Sequence, residues 1–304
     1  MAIYSFVLLR SNEILSYNYN QFESRMKSTE KQNHFFDNYF KQHVKDEIPD
    51  YKITNYKNIK NKKILVVGLG MGRDVAYLAK QNEVHGIDVS KEGLSIAREK
   101  GINVRIANVD GKKLPYPSNF FDIVICKDIF EHILNPLFLL LETRRVIKKN
   151  GYLVLNIPNH FFWWYRLRFL FGGNLLWNVI GQDHSKIYNE WDYMHIRFFT
   201  WKGLKKLIKE GDFKIKKTFW DFGTLAYYNN PEFAIPILVQ KKNKSFFEKL
   251  IVKLLPGIWR IFNIIFPPVL RAKIVSLDPG FFCASFYLWC TPIKVSTDRT
   301  SGYN

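Results

Sequence analysis

Three closely spaced glycines, Gly68, Gly70 and Gly72, follow the apolar, largely β-branched run 64–67. This pattern predicts a strand that passes through a tight turn into a helix. Glycine there lets the backbone turn sharply and approach a ligand without a Cβ in the way, and the helix N-terminus favours negative groups on that ligand. Asp88 lies 20 residues after Gly68 and ends the next predicted strand, where a carboxylate can hold ribose hydroxyls. Together these residues predict a site for a ligand that contains a nucleoside.

The spacing of the glycines discriminates between two ligand classes. A dinucleotide turn has the form GxGxxG, and the place of its last glycine is taken here by Arg73, whose side chain would crowd a pyrophosphate. The third glycine comes at Gly72 instead and gives the form GxGxG. This spacing favours S-adenosylmethionine over a nicotinamide dinucleotide.

The chain resembles the class I S-adenosylmethionine-dependent methyltransferases, the group related to the ubiquinone and menaquinone methyltransferases. The glycine turn is similar to their first motif, Phe121-Asp-Ile-Val124 with Glu131-His132 to their fourth strand and the helix after it, and His195-Ile-Arg-Phe-Phe-Thr200 to the entry of their late helix. The resemblance covers residues 63–157 and 195–222.

The resemblance implies roles for individual residues. Gly68, Gly70 and Gly72 would pass the backbone around the cofactor, Asp88 would bind its ribose, and Asp110 would contact the amino group of its adenine. One position departs from the pattern: Val66 stands where the family usually has an acid that helps to hold the cofactor's amino end. That departure keeps a non-catalytic cofactor-binding partner protein as an alternative to an enzyme. A nicotinamide-dependent oxidoreductase is the other alternative, and Arg73 disfavours it.

Methyl transfer to an oxygen also needs a general base, most often histidine. His132 follows the fourth predicted strand at the ligand-facing edge, and His184 lies beside Asp183 in a polar segment, so both are candidate catalytic residues. The competing interpretations are a structural histidine at a helix start and a solvated loop histidine. His195 is interpreted as an anchor of the late helix. No histidine or cysteine cluster has the spacing of a zinc site, so we expect no metal and activity that survives chelation.

Short β-branched runs alternate with helical periods from residue 63 to 157, which is typical of βαβ units. Strands are predicted at 63–67, 84–88, 102–107, 121–126, 151–157, 213–222 and 281–291, and helices at 73–81, 91–100, 136–148 and 200–211. The predicted fold is α/β: a doubly wound, mostly parallel seven-stranded sheet of the Rossmann-like type found in class I methyltransferases, with an N-terminal extension and two insertions.

The predicted domain organisation follows from shifts in composition. It comprises an N-terminal helical extension or lid at 1–60, a methyltransferase core at 61–226 with an aromatic insertion at 158–194, an amphipathic insertion at 227–280, the final core strand at 281–293 and a tail at 294–304.

The two insertions suggest an apolar substrate. Eight aromatic rings lie between Phe161 and Trp177, which is typical of a lid over an apolar acceptor or of a helical cap with a thick apolar face. Phe246, Leu250 and Leu254 recur at helical spacing beside lysines. This favours either a helix at the surface of an anionic membrane or a helix packed on the core. The net charge of +18 fits the membrane or a lysine-rich composition, and no ring-and-basic pattern of a nucleic-acid module is present.

The sequence therefore predicts a methyltransferase for a small-molecule acceptor that is apolar or lipid-linked, and it indicates no oligomeric state. Residues 1–9 lack the features of a signal peptide, and no uncharged apolar stretch reaches the roughly 18 residues of a spanning helix. We therefore expect a cytoplasmic protein, either free or attached to the inner face of the membrane.

Overall fold

The computed structural model describes residues 58–170, 195–219 and 267–293, with further positions at 36, 37, 40 and 172 and at intervals from 249 to 265. Several predictions lie outside these residues: the candidate base His184, most of the extension at 1–60, most of both insertions and the tail.

A seven-stranded sheet forms the centre of the molecule, as predicted. Its strands are β1 (Lys63–Val67), β2 (Glu83–Asp88), β3 (Asn103–Ile106), β4 (Phe121–Lys127), β5 (Ile147–Pro158), β6 (Phe213–Phe219) and β7 (Ser285–Pro292). They lie in the order β3-β2-β1-β4-β5-β7-β6. The first five are parallel, and β7 runs antiparallel between β5 and β6.

Helices cover the two faces of this sheet. They are α1 (Lys91–Arg98), α2 (Pro136–Val146), α3 (Trp163–Leu170), α4 (Trp201–Glu210), α5 (Pro268–Leu277) and α6 (Pro279–Phe282), with 3-10 helices at Ala76–Lys80 and Phe130–His132. Among the described residues, no helix is long and apolar enough to cross a bilayer.

The alternation of side chains along the strands divides the core in two. In β1, Leu65 and Val67 point into the cluster beneath α2 and α4, whereas Ile64 and Val66 point into the cluster beneath α1. Both clusters are almost free of solvent, which is expected for a parallel sheet covered on both faces.

Three predicted elements differ from the structure, one of them the strand predicted at 151–157, which begins four residues earlier, at Ile147. The helix predicted at 73–81 is only a 3-10 helix at Ala76–Lys80. The buried Val75 and Leu78 are three residues apart, and that spacing suits either helix type; the amide of Leu78 bonds to the carbonyl of Val75. The strand predicted from 281 begins at Ser285, because Asp278 caps the short helix α6 by accepting from the amide of Phe281.

Candidate cofactor and acceptor site

The site lies at the carboxyl edge of the sheet, beside the end of β1. The strand order reverses there, with β2 on one side of β1 and β4 on the other. In an open α/β sheet this switch point leaves a crevice in which ligands bind. The residues that follow β1, β2, β3 and β4 therefore line the candidate site.

The glycine turn has the left-handed backbone that the sequence requires. Gly68, Gly70 and Gly72 have φ angles of +72°, +52° and +60°, which L side chains rarely adopt. A Cβ on Gly72 would lie 2.8 Å from the Ile102 side chain, so this glycine is needed for packing as well as for the turn. The result is a turn whose backbone carries no side chain at these three positions.

Asp88 is fixed against this turn. Its Oδ2 accepts a hydrogen bond from the amide of Gly70 at 2.8 Å, and its Oδ1 accepts one from the amide of Ser90 at 2.9 Å. Burial raises the pKa of Asp88, and the two amide bonds oppose that rise. The carboxylate is therefore held in one orientation at the edge where a ribose would lie.

Asp110, the predicted adenine contact, lies in the turn after β3. Its two carboxylate oxygens accept from the amides of Leu134 and Asn135, each at 3.1 Å. These bonds join the β3 turn to the loop that leads into α2. Each carboxylate oxygen can accept further bonds, so the side chain still has acceptor capacity for a ligand.

Three described positions of the N-terminal segment contact the same edge. The Asp37 carboxylate accepts a 2.5 Å hydrogen bond from the Ser90 hydroxyl, and the Phe40 ring lies over Gly70, where a Cβ would be 2.8 Å from it. The Phe36 ring stands edge-on to His132, with ring centroids 5.7 Å apart. The segment therefore contacts the carboxyl edge of the sheet both after β2, at Ser90, and after β4, at His132.

A cluster of histidines lies beyond the end of β4, and only His132 of this cluster was predicted to serve the reaction. The His132 and His195 ring centroids are 4.8 Å apart, and Nδ1 of His195 lies 2.8 Å from Nε2 of the buried His160. Burial lowers the pKa of His160 to about 4, and the nearby charge of His132 contributes to that lowering, so His160 is neutral at pH 7. His195 therefore lies within this cluster as well as at the entry to the late helix.

Glu131 completes this cluster. Its side chain is 1% exposed, and burial raises its pKa well above the usual range, assisted by the negative charge of Asp128. The amides of Ile196 and Arg197 donate to its main-chain carbonyl at 2.9 and 3.1 Å. Those two bonds bring His195 beside His132 across a long stretch of sequence, which sequence spacing alone does not reveal.

At the position where an acid was expected, Val66 is buried in the core at 4% exposure. On the same face of the sheet, Lys127 at the end of β4 pairs with Asp74, which follows the glycine turn. This ion pair places a charge of each sign next to the turn.

Comparison with known proteins finds similarity to methyltransferases in the middle of the chain. Residues 65–155 match the family model described as a methyltransferase domain. The chain is 34% identical to an uncharacterised protein of Methanocaldococcus jannaschii over 31% of its own length and 43% of that protein. It is 28% identical to a ubiquinone biosynthesis O-methyltransferase of Aliivibrio fischeri, over 36% of this chain and 50% of the relative.

Another relative is a phosphatidylethanolamine N-methyltransferase of Cereibacter sphaeroides, 31% identical over 38% of this chain and 59% of that enzyme. In each case the chain spans less than two thirds of the relative. Among solved structures, a possible histamine N-methyltransferase of Thermotoga maritima superposes with a TM-score of 0.46 at 22% identity, over 62% of this chain and 86% of that one.

Proposed function

From the premise that residues 65–155 form a class I S-adenosylmethionine-dependent methyltransferase domain, with S-adenosylmethionine as its cofactor, we propose that this protein transfers the cofactor's methyl group to a small-molecule acceptor. The observation that carries the proposal is the glycine turn, whose Gly70 amide donates a hydrogen bond to Asp88. It combines a length of left-handed backbone at the switch point of the sheet with a carboxylate whose orientation two amides fix.

In the proposed complex, Gly68, Gly70 and Gly72 let the backbone follow the cofactor, Asp88 accepts from its ribose hydroxyls, and Asp110 accepts from its adenine amino group. The residues fit such a group, because the three glycines place no Cβ on the turn and the two carboxylates retain acceptor capacity. The bound sulfonium supplies an already activated methyl group. The protein then has to align the acceptor in line with the methyl group and to exclude water.

His132 is the proposed acceptor-facing residue. It lies at the same edge as the glycine turn, and its ring meets both His195 and Phe36 of the N-terminal segment. The segment around 36–40 acts as a lid in this proposal, because it spans the edge from Ser90 to His132. His184 stays a second catalytic candidate on the grounds of its sequence alone.

We propose further that the acceptor is apolar or lipid-linked and that the protein binds it at the inner face of a membrane. Described helical positions between 249 and 265 include several exposed apolar side chains: Leu250, Leu254, Ile261, Ile264 and Ile265. Lys249 and Lys253 are exposed beside the first two. An apolar stripe flanked by lysines suits an interfacial helix on anionic lipid.

Calorimetric titration tests the cofactor step. We expect S-adenosylmethionine and S-adenosylhomocysteine to bind and the nicotinamide dinucleotides not to bind. A methyl-release assay with lipid and aqueous cell extracts as acceptors then tests the transfer step. Binding without transfer to either extract would favour the second candidate, a non-catalytic partner protein. The reason to retain this candidate is the buried Val66, which stands where an acid was expected.

A further inference from the structure

Three potential ligand atoms converge at the carboxyl edge next to the end of β4. One carboxylate oxygen of Glu131 and one ring nitrogen from each of His132 and His195 all lie within 4.8 Å of one another. A tetrahedral zinc ion with ligand distances of about 2.0–2.2 Å holds its ligand atoms about 3.3–3.6 Å apart, so side-chain rotations that move these atoms by about 1 Å would bring all three within reach. Two imidazoles and a carboxylate suit zinc and similar ions and leave one coordination position open.

The buried carboxylate gives an independent reason to expect a cation. Glu131 is 1% exposed, and among the described residues its buried Oε2 has no hydrogen-bond partner. Its Oε1 is 3.9 Å from Nε2 of His132, beyond hydrogen-bonding distance. A buried carboxyl oxygen without a hydrogen-bond partner is costly, and a cation between Glu131 and the two histidines would offset that cost.

The surroundings of His195 also suit a metal ligand. One of its ring nitrogens, Nδ1, lies 2.8 Å from Nε2 of His160. Metal-bound histidines usually have their second ring nitrogen held in this way, because the bond fixes the ring orientation. His160 is 3% exposed, so its ring is held by the surrounding core, and its Nε2 lies where it can accept the Nδ1–H of His195.

We infer that Glu131, His132 and His195 bind one divalent cation of the zinc type, with His160 as a positioning residue behind His195. This replaces the expectation, drawn from sequence spacing, that the protein holds no metal. The role of the site in catalysis rests on the proposed methyl transfer. A hydroxyl acceptor at the open position would have its pKa lowered by the cation. Its O–H bond breaks with the proton passing to water, its O–CH₃ bond forms, and the S–CH₃ bond breaks to release S-adenosylhomocysteine.

Zinc chloride titrated into the metal-free, tag-free full chain is the direct test, with Co²⁺ absorption reporting the ligand geometry. We expect one bound ion per chain. Glu131→Gln and His195→Asn each remove a ligand and should weaken binding by more than 100-fold, while His160→Phe, which removes the positioning bond, should weaken it by about 10–100-fold. His85→Asn is the matched control, because His85 also contacts a carboxylate, Glu83 at 2.8 Å, but lies away from the cluster on β2.

The inference is overturned if the wild type binds no zinc, or if the ligand variants bind zinc as tightly as His85→Asn does. S-adenosylhomocysteine titrated into the same samples reports folding and the cofactor site, and it should bind all variants alike. Zinc binding without S-adenosylhomocysteine binding would support the metal site and remove the proposed methyl transfer. The reverse result would leave methyl transfer standing without the metal.

Discussion

Gly70 shows how one residue can combine a backbone requirement with a steric one. Its φ of +52° strains any L residue by about 1–2 kcal/mol, and a Cβ would also enter the space directly over the turn. Gly111 has a similar φ of +66° but no atom within 4 Å of its would-be Cβ. We therefore expect Gly70→Ala to weaken S-adenosylhomocysteine binding by more than 10-fold in calorimetry, and Gly111→Ala to leave it unchanged. Equal affinities would show that the backbone approach at Gly70 is not used.

Asp88 gives a second prediction at the residue scale. Asp88→Asn removes the charge from the proposed ribose contact and should cost about 1.5–3 kcal/mol of S-adenosylhomocysteine binding. Asp122→Asn is the control, because Asp122 also accepts a backbone amide, from Lys63 at 2.9 Å, but lies at the opposite edge of the sheet. An Asp88 variant that binds as the Asp122 variant does would contradict the ribose role.

His132 gives a third prediction at the residue scale. Once an acceptor is found in the extracts, His132→Ala should lower turnover by at least about 100-fold, because it removes a positioned histidine from the acceptor side and, with the inferred cation bound, one of its ligands. It should change S-adenosylhomocysteine affinity little. Phe36→Leu serves as a milder control on the ring that touches His132. A turnover that survives His132→Ala would remove this residue from the acceptor site.

These residues differ in how visible they are in the sequence. The glycine turn and Asp88 are local features with fixed spacing, and the structure gives them the backbone and bonds that this spacing requires. The histidine cluster depends on the amides of Ile196 and Arg197 reaching the carbonyl of Glu131. A contact between segments so far apart leaves no periodic signal, so only His132 was found from the sequence.

Glu142 joins two elements that position the site. Its carboxylate accepts from the amide of Leu114 at 2.8 Å and from Nε of Arg145 at 2.9 Å, while Nη1 of Arg145 donates to the carbonyl of Tyr116 at 2.8 Å. The segment after Asp110 is thereby held on α2. Although burial works to raise the pKa of Glu142, its hydrogen bonds with Arg145 and Leu114 lower that pKa below the usual range.

A stability measurement tests how much these hydrogen bonds of Glu142 contribute to the fold. Because the folded-state pKa is lowered, the carboxylate stabilises the fold above its unfolded pKa of about 4.3, and this stabilisation is lost as the pH falls through the folded value. Glu142→Gln should therefore lower the free energy of unfolding by about 1.5–3 kcal/mol at pH 7, with the difference shrinking below pH 4.3. Glu210→Gln, in an exposed pair with Lys206 at 3.7 Å, should change it by less than about 1 kcal/mol. A Glu142 effect that is constant with pH would contradict the charge argument.

The elements themselves were largely predictable, because β-branched runs and helical periods mark buried faces. β1, β2 and β4 lie where the sequence places them, within a residue. The helix predicted at 73–81 was wrong, since a spacing of three residues between buried side chains suits a 3-10 helix equally well. The start of β7 was missed because the Asp278 cap converts an apolar run into helix α6.

At the scale of the whole molecule, the family resemblance is confirmed for residues 65–155, and the remaining parts of the chain carry the substrate question. The motifs of the sequence predict the cofactor end of the site. They leave the acceptor open, because the two predicted insertions carry no motif that identifies a substrate. Variants of exposed residues outside 65–155 therefore test which acceptor or membrane the protein binds.

The exposed apolar positions between 249 and 265, in a chain of net charge +18, predict binding to anionic membranes. Buried apolar area and lysine attraction add in an interfacial helix, each lysine contributing on the order of 1 kcal/mol, and salt weakens the electrostatic part. In liposome flotation we expect the protein to float with anionic vesicles, less with neutral ones, and less at high salt.

The double variant Leu250→Asp, Leu254→Asp should lose flotation, because those side chains are 42% and 53% exposed and their replacement removes the apolar contact without opening the core. Ile106→Asp is the matched control, since Ile106 is 59% exposed on β3, away from this stripe. If the stripe instead packs on another protein surface, the wild type stays with the soluble fraction and the double variant differs only in its oligomeric state. A folded wild type that ignores anionic vesicles would therefore remove the membrane from the proposed function and, with it, the main support for a lipid-linked acceptor.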